Sequence, residues 1–160
     1  MTGKKLLKKL LSHTAEQTLD LGNQIGQAVS GQFSIALKGD LGAGKTTLVQ
    51  GLAKGMGVDD SYYITSPTFN IINEYPARDL RLCHLDLYRL GSADELEYIG
   101  FDDMMGTDAV IVVEWPGFLE EILFEFDLEI KFEFDEDYNR IISLVPSGQP
   151  GVNLVSKLSL

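Results

Sequence analysis

The chain has 160 residues and one cysteine, 44% of its residues are hydrophobic, and its formal net charge is −11. This length and composition predict a single globular domain over residues 1–160 in a reducing compartment, and they exclude a disordered chain or an internal disulfide framework. The acidic balance argues against wide, direct contact with DNA or RNA, because phosphate backbones are bound mainly by clustered lysines and arginines.

Residues 1–11 combine lysines with leucines. They lack the long apolar core and the small-residue cleavage site of a secretory signal peptide. No other apolar run approaches the length that spans a membrane. We therefore expect a cytoplasmic protein without membrane contact. The pattern leaves open whether residues 1–11 are a loose N-terminal extension or lengthen the first helix.

The first helix is predicted from Thr14 onward. Thr14 is placed to accept a backbone N–H and Gln17 is placed to reach back, as in a capping box. Leu21 and Ile25 then repeat on one helical face, and Gly31 ends the segment. The N-terminal end of this helix could lie beside a ligand of the loop that follows.

Residues 39–46 match the phosphate-binding pattern G-x-x-x-x-G-K-[ST] at every fixed position. A strand-like run over residues 33–37 precedes the pattern, and a helical repeat of apolar residues follows it. Glycines let successive N–H groups surround an anion at the start of a helix. Lys45 would reach the terminal phosphates, and the Thr46 hydroxyl would help to bind Mg²⁺. The predicted nucleotide-binding residues are Gly39, Asp40, Leu41, Gly42, Ala43, Gly44, Lys45, Thr46 and Thr47.

Residues 65–70 place several hydroxyl groups around Pro67. Residue types alone are equally consistent with an ordinary turn. The functional alternative is a switch loop, in which hydroxyls such as that of Thr68 contact the terminal phosphate or its metal. A strand is predicted to follow over residues 69–75.

Asp86 lies near the end of a second predicted strand, over residues 81–89. Ligands of open α/β sheets bind beyond the carboxyl ends of the strands, so Asp86 could orient the water shell of a metal or the attacking water. His84 points to the same side of the strand. Nothing in the sequence pairs it with a nucleophile or a metal site, and a structural role is favoured.

A helix is predicted to start with the capping-box pattern at residues 92–95, and several acidic residues lie around it. A solvated face is the simpler interpretation of this acidic cluster, and a docking surface for a basic partner is the alternative.

Residues 109–113 then form a continuous apolar run, typical of a strand buried on both faces. The run ends at Glu114, whose charge needs a metal, a basic group or water. Trp115 could pack beside the same site.

The C-terminal part of the chain predicts a β-hairpin. Residues 128–135 alternate between apolar and charged side chains, a turn follows, and residues 140–145 return as a strand. Arg140 stands near the turn, and a surface position is slightly favoured over a contact to the nucleotide.

The elements together predict an α/β, P-loop NTPase-like three-layer fold. Its sheet is mixed and mostly parallel, with helices on both faces and the hairpin at the C-terminus.

Five segments together resemble the TsaE family, the small bacterial ATPases required for threonylcarbamoyladenosine modification of tRNA. They read GDLGAGKTT at 39–47, SPTF at 66–69, HLDLYRL at 84–90, ELEYIG at 95–100 and VEWP at 113–116. The first segment occurs in many families, and the other four make the resemblance specific. It extends from about Thr14 to the hairpin and does not include residues 1–11.

The resemblance implies roles for individual residues. Thr46 corresponds to the side-chain ligand of Mg²⁺, Thr68 to the switch-loop threonine, and Asp86 to an acidic residue needed for hydrolysis. Glu114 corresponds to a metal-associated glutamate, and Asp86 is a further candidate for the metal site. Which carboxylate positions the attacking water stays open. The expected catalytic residues are Lys45, Thr68, Asp86 and Glu114.

The family also implies the cofactors and the partners. The nucleotide is expected to be ATP with Mg²⁺, and Thr14 and Arg140 become candidates for contacts near the base. The protein would act on TsaB and TsaD, and would reach tRNA, modified at adenosine 37, only through them. A docking role on a basic protein surface agrees with the negative charge.

Two other functions remain open at this point. Many compact phosphate-loop proteins are small-molecule kinases, but no arginine-rich lid segment follows the core here. A nucleotide-gated binding module would use ATP as a structural ligand without hydrolysing it. No intrinsic arginine finger is evident either, so an ATPase of this type would turn over slowly without its partners.

Overall fold

The computed structural model describes residues 8–40, 42–67, 70–92, 94–98, 100–117, 119 and 124–160. Within these ranges the chain forms seven strands and five helices. The strands are β1 (Lys8–Ser12), β2 (Phe33–Lys38), β3 (Ile72–Ala77), β4 (Leu80–Asp86), β5 (Ala109–Glu114), β6 (Leu128–Phe134) and β7 (Arg140–Pro146). The helices are α1 (Ala15–Ala28), α2 (Lys45–Met56), α3 (Glu95–Tyr98), α4 (Phe101–Met104) and α5 (Gly148–Ser156).

All the described strands belong to one sheet, in the order β1-β7-β6-β2-β5-β4-β3. β2 lies parallel to both β5 and β6, and β4 lies parallel to β5. β3 and β7 run in the opposite direction, and β7 forms an antiparallel hairpin with β6. The predicted mixed, mostly parallel sheet with a C-terminal hairpin is therefore confirmed.

Alternating side chains of the central strands pack into two separate cores. Val110 and Val112 of β5 contact the core that includes the apolar faces of α1, α2 and α5. Ile111 and Val113 belong to the second core, which includes residues of α3 and α4. Because strand side chains alternate between the two faces, one apolar strand serves both cores, and helices lie on both sides of the sheet.

The same alternation directs the strand-end acids to the α1 and α2 face. Leu82 of β4 lies in the core beneath these helices, so His84 and Asp86 point to that side as well. On β5, Glu114 follows Val112 at the same spacing. Asp86 and Glu114 are register partners on adjacent parallel strands. The two carboxylates therefore lie at the edge of the sheet from which β2 leads toward α2.

Helices α1 and α2 pack unusually closely because each has two glycines, four residues apart, at their interface. A Cβ atom at Gly22 would lie 2.2 Å from the carbonyl oxygen of Leu48, and one at Gly51 would lie 2.1 Å from that of Leu19. Gly26 and Gly55 continue the contact at similarly short distances. Backbone therefore meets backbone, where no side chain can move aside.

We expect Gly51→Ala to lower the free energy of unfolding by about 3 kcal/mol, because overpacking would force the two helix backbones apart. Chemical denaturation would measure the change. Gly31→Ala is the matched control, since the nearest atom to its added Cβ would be 3.9 Å away, and it should cost less than about 0.5 kcal/mol. Equal stability of the two variants would contradict the close helix packing.

The N-terminal segment differs from its prediction. Residues 8–12 form β1, an edge strand that pairs antiparallel with β7 from Lys8, opposite Leu144, to Ser12, opposite Arg140. Leu10 packs against the main core, whereas Leu11 is 52% exposed. Residues 8–11 are therefore neither a loose extension nor part of a longer helix, because β7 offers them backbone partners. Residues 1–7 lie outside the described residues.

Two further differences concern strand limits and the C-terminus. β4 ends at Asp86, because the Asp86 carboxylate accepts a hydrogen bond from the backbone N–H of Tyr88 and turns the chain. β3 begins at Ile72, later than predicted. Helix α5 was not predicted, and it buries Leu154 and Val155 in the main core. Among the described helices none is long and apolar enough to cross a membrane.

Candidate functional site

The glycine-rich loop between β2 and α2 uses left-handed backbone conformations to turn into the helix. Gly44, the residue before α2, has φ 106° and ψ 14°, and Gly42 has φ 80°. These conformations strain any residue with a side chain, which explains the two glycines. A Cβ atom at Gly42 would meet no other atom within 4 Å, so the space above the loop is open. The positive end of α2 therefore faces an accessible region.

Lys45, the first residue of α2, is almost completely buried, with 5% of its surface exposed. Its Nζ donates a hydrogen bond to the carbonyl oxygen of Gly39 at 2.6 Å and lies 4.1 Å from the centre of the Trp115 ring. Burial lowers the pKa of the Lys45 ammonium group, and the nearby carboxylates Glu114, Asp86 and Asp40 partly offset this effect. Lys45 is therefore a partly desolvated cation whose contacts are a carbonyl oxygen and an aromatic ring.

A chain of short contacts joins α2 to the ends of β4 and β5. The Ser66 hydroxyl donates to Oε2 of Glu114 at 3.0 Å, and Thr46 Oγ1 lies 2.6 Å from Ser66 Oγ. Because Ser66 has only one hydroxyl hydrogen, Thr46 is the donor in that contact. His84 Nε2 lies 2.7 Å from the same Oε2 of Glu114. One carboxylate oxygen thus receives two hydrogen bonds.

The environment shifts the pKa values of the two strand-end carboxyls, Glu114 and Asp86, in opposite directions. Burial raises the pKa of Glu114, but the hydrogen bond and electrostatic attraction of His84, the hydrogen bond from Ser66 and the charge of Lys45 outweigh it, so this pKa lies below its ordinary value. For Asp86, burial and the neighbouring Glu114 raise the pKa above its ordinary value, despite the hydrogen bond from Tyr88 N–H. Glu114 is therefore the better-stabilised anion and Asp86 the more basic carboxylate.

These side chains surround a cavity of about 460 Å³ at the carboxyl ends of the central strands. Its volume is in the range of small-molecule and cofactor pockets. One wall comes from the glycine-rich loop and α2, another from the ends of β4 and β5, and a third from the loop before β3. The lining residues include Gly42, Gly44, Lys45, Thr46, Thr47, Ser66, Asp86, Tyr88, Arg89, Glu114, Trp115 and Arg140.

Most of the site residues predicted from the sequence meet at this cavity, but some lie elsewhere. Gly39 contacts the Lys45 side chain, and Ala43 accepts a hydrogen bond from Arg140. Asp40 is exposed at the start of the loop. Leu41 and Thr68 lie outside the described residues.

Thr14 does not line the cavity. Its side chain caps α1 by accepting a hydrogen bond from the N–H of Gln17 at 3.1 Å. The first turn of α1 nevertheless lies against the loop, since Thr18 Cγ2 would be 3.7 Å from a Cβ atom at Gly44. A contact between Thr14 and the base of a nucleotide stays a prediction.

Arg140, at the start of β7, reaches the glycine-rich loop rather than projecting from the surface. Its Nε donates to the carbonyl oxygen of Ala43 at 2.7 Å, and its Nη2 lies 3.5 Å from that of Gly42. The guanidinium carbon also lies 5.8 Å from the centre of the Phe134 ring. Arg140 is half-buried against the loop, so the slightly favoured surface position was wrong, and a contact to the nucleotide stays a prediction.

Three residues near the site had no firm role in the sequence analysis. Ser66 connects Thr46 to Glu114, and His84 contacts Glu114 directly. Trp115 has a φ of 57°, covers Lys45 and packs 5.0 Å from the ring of Tyr88. The spacing of His84 two residues before Asp86 could have indicated the shared face, but not the contact to another strand.

Cys83 is also fully buried, and it points away from the cavity into the second core. Burial and the negative charge of Glu74 raise the pKa of its thiol to about 12. A thiol of this kind stays protonated near neutral pH and is a poor nucleophile. Cys83 therefore serves as a packing residue.

Comparisons with known proteins show which family this chain resembles. The family model "Threonylcarbamoyl adenosine biosynthesis protein TsaE" matches residues 12–142. Proteins named "tRNA threonylcarbamoyladenosine biosynthesis protein TsaE" from Haemophilus influenzae and Bacillus subtilis are 37% and 39% identical to the chain. Each alignment has 125 residues and covers 78% of this chain and 77% of the relative.

A solved structure is similar over nearly the whole chain. The crystal structure of YdiB from Bacillus subtilis has a TM-score of 0.76 and 31% sequence identity, and the match covers 98% of this chain and 96% of YdiB. The family match begins at the last residue of β1 and ends within β7, so it contains the glycine-rich loop and both strand-end carboxylates. This chain therefore belongs to the TsaE family.

Proposed function

We propose that this protein is a Mg²⁺-dependent P-loop ATPase required for threonylcarbamoyladenosine modification of tRNA at adenosine 37. Its role in that modification follows from the names of its relatives. The observation that carries the ATPase assignment is the meeting of Lys45, Thr46, Asp86 and Glu114 at one cavity beside the glycine-rich loop. In this proposal the protein acts on a complex of TsaB and TsaD and reaches tRNA through these partners.

The residues at the loop fit the phosphates of a nucleotide. The space above Gly42 is open, and the N-terminal end of α2 offers backbone N–H groups together with its positive dipole. Lys45 needs only to exchange the Gly39 carbonyl and the Trp115 ring for a phosphate oxygen. Because burial has already removed much of its hydration, an anionic partner would be favoured strongly.

The residues also fit Mg²⁺, which prefers oxygen ligands and commonly uses one or two carboxylates with phosphate oxygens and water. Thr46 and Glu114 are the donors that we assign to it, and Asp86, the further candidate from the sequence, is assigned to the surrounding water. The described part of the chain has no cluster of three histidine, cysteine or carboxylate side chains that could hold a metal. The proposed site is therefore completed by the nucleotide. When bound, Mg²⁺ would neutralise negative charge on the phosphates.

In hydrolysis, each of these protein groups has a separate role. Lys45 and the loop N–H groups hold the terminal phosphate and stabilise the charge that spreads over it in the transition state. We assign orientation of the attacking water to Asp86, because its raised pKa makes it the better acceptor of a water hydrogen. Glu114 has one oxygen already engaged by His84 and Ser66, which suits a fixed ligand-holding role.

The partners are proposed to accelerate turnover. Arg140 is already bonded to the carbonyl oxygens of the loop, so it is not oriented toward the position of a transferred phosphate. A partner could supply or reorient the missing positive charge. The net charge of −11 favours docking on a basic protein surface over direct binding of tRNA.

A reconstituted assay tests this function. Phosphate release from ATP would be measured with the full chain alone, with TsaB and TsaD, and with both partners plus tRNA. We expect slow release alone, faster release with the partners, and modified tRNA only when the chain is present. Equal turnover with and without the partners, or transfer of phosphate to a nucleoside or metabolite, would contradict the proposal.

A further inference from the structure

We propose that His84 is a positioning residue that, together with Ser66, fixes the Glu114 carboxylate for its ligand. The inference rests on the proposed nucleotide and Mg²⁺ site, and it concerns a side chain that does not line the cavity. His84 acts on the ligand only through Glu114. The contact joins two adjacent parallel strands, since His84 lies on β4 and Glu114 lies at the end of β5.

The burial of His84 is difficult to explain by packing alone. Its side chain is completely inaccessible to solvent, and the surrounding face of the sheet is apolar. Burying an imidazole in such a place is unfavourable unless its polar atoms find partners. Nε2 has one in Glu114 Oε2, but Nδ1 has no hydrogen-bond partner among the described residues. An apolar side chain would avoid this cost, so the Nε2 contact is the feature that a histidine provides.

The hydrogen positions follow from these contacts. A carboxylate oxygen can only accept, so Nε2 carries a hydrogen and donates it to Glu114. His84 therefore presents a donor to Glu114 from a fully buried position on the neighbouring strand.

The two donors engage the same carboxylate oxygen and thereby orient the other. His84 and Ser66 both bind Oε2 of Glu114, at 2.7 Å and 3.0 Å. Ligating carboxylates are commonly held by such hydrogen bonds, and loss of the supporting partner weakens metal binding about 10- to 100-fold. Ser66 lies in the loop before β3, whereas His84 lies within the sheet. His84 is thus the support that comes from within the sheet, and Ser66 is the support that comes from a loop.

A matched pair of substitutions tests the role of the Nε2 donor. In His84→Gln the amide nitrogen can occupy the place of Nε2, whereas in His84→Asn the shorter side chain leaves that place empty. The measurement is the Mg²⁺ concentration that half-saturates binding of a non-hydrolysable ATP analogue to the full chain. Fluorescence of the single tryptophan, which lies beside Lys45, reports binding without any turnover.

We expect His84→Asn to raise the half-saturating Mg²⁺ concentration at least about tenfold, and His84→Gln to raise it less than about threefold. Nucleotide affinity in excess chelator should stay within about twofold of wild type for both variants, because Lys45 and the loop are unchanged. Cys83→Ala is the control for lost burial on the same strand, and it should leave the Mg²⁺ dependence unaltered. Thermal unfolding establishes that each variant is folded.

The outcomes distinguish a failure of the proposed metal site from a failure of the proposed role of His84. If wild type binds the nucleotide without any Mg²⁺ dependence, the proposed metal site itself is wrong. If wild type depends on Mg²⁺ but folded His84→Asn behaves like wild type, the positioning role alone is wrong. Equally large defects in His84→Asn and Cys83→Ala, or in His84→Asn and His84→Gln, would mean that His84 only packs. Should His84→Asn fail to fold, Ser66→Ala decides, because loss of the second donor to Oε2 must then raise the Mg²⁺ requirement.

Discussion

Replacing Lys45 with alanine is expected to lower kcat/KM for ATP hydrolysis about 100- to 1000-fold, the usual effect of removing one preorganised transition-state donor. Lys45 is the first residue of α2 and lies 5% exposed beside the loop, and among the described residues its Nζ contacts Gly39 O and the Trp115 ring. These are partners that a phosphate can replace. Phosphate release under single-turnover conditions would measure the loss, and nucleotide titration would measure weaker binding.

The same substitution at Lys54 is the matched control for Lys45→Ala. Lys54 lies in the last turn of α2 and is exposed, so it shares the helix but not the cavity. Its loss removes one positive charge from the molecule without touching the phosphates, and hydrolysis should stay within about twofold of wild type. If Lys45→Ala hydrolysed ATP as fast as Lys54→Ala, the glycine-rich loop would have no catalytic role.

The parts of this site that could be predicted from sequence are those set by local chemistry or by strand ends. The loop at 39–46 depends on glycine conformations and on the helix that follows, both of which are encoded within a few residues. Asp86 and Glu114 follow apolar strands, and the carboxyl ends of parallel strands meet at one edge of the sheet. To predict that these two carboxylates meet, it was enough to predict the number and direction of the strands correctly.

Contacts between distant segments could not be predicted in this way. The link from Thr46 through Ser66 to Glu114 joins three elements, and it depends on how the loop before β3 folds back over α2. The approach of Arg140 to the loop joins it to a strand almost a hundred residues further along the chain. Single-sequence patterns carry no information on such distances, which are set by tertiary packing.

The edge strand β1 and the C-terminal helix α5 were not predicted from the sequence, for a related reason. β1 is short and rich in lysine, and only its pairing with β7 makes it a strand. Helix α5 has just nine residues, and its stability comes from burying Leu154 and Val155, not from strong helix propensity. Close contact at the glycines of α1 and α2 likewise becomes visible only when the two helices are placed together.

Asp86→Asn separates hydrolysis from nucleotide binding, and it is expected to lower kcat about 100- to 1000-fold while leaving nucleotide affinity within about twofold of wild type. The amide keeps the size of the carboxylate, and its oxygen can still accept the hydrogen bond from Tyr88 N–H. It cannot accept a proton from the attacking water, which is the role assigned to Asp86. Single-turnover phosphate release and tryptophan fluorescence would measure the two quantities on the same samples.

Asp103→Asn makes the same chemical change on the exposed face of α4, away from the cavity, and should alter neither quantity. The comparison also distinguishes an ATPase from a module that only binds ATP, because such a module would show no hydrolysis for Asp86→Asn to remove. If hydrolysis survived the substitution, the attacking water would have to be oriented by Glu114. If affinity fell while kcat stayed unchanged, Asp86 would be holding the bound nucleotide and its metal instead of the water, because a group that acts equally in the ground state and the transition state changes binding without changing kcat.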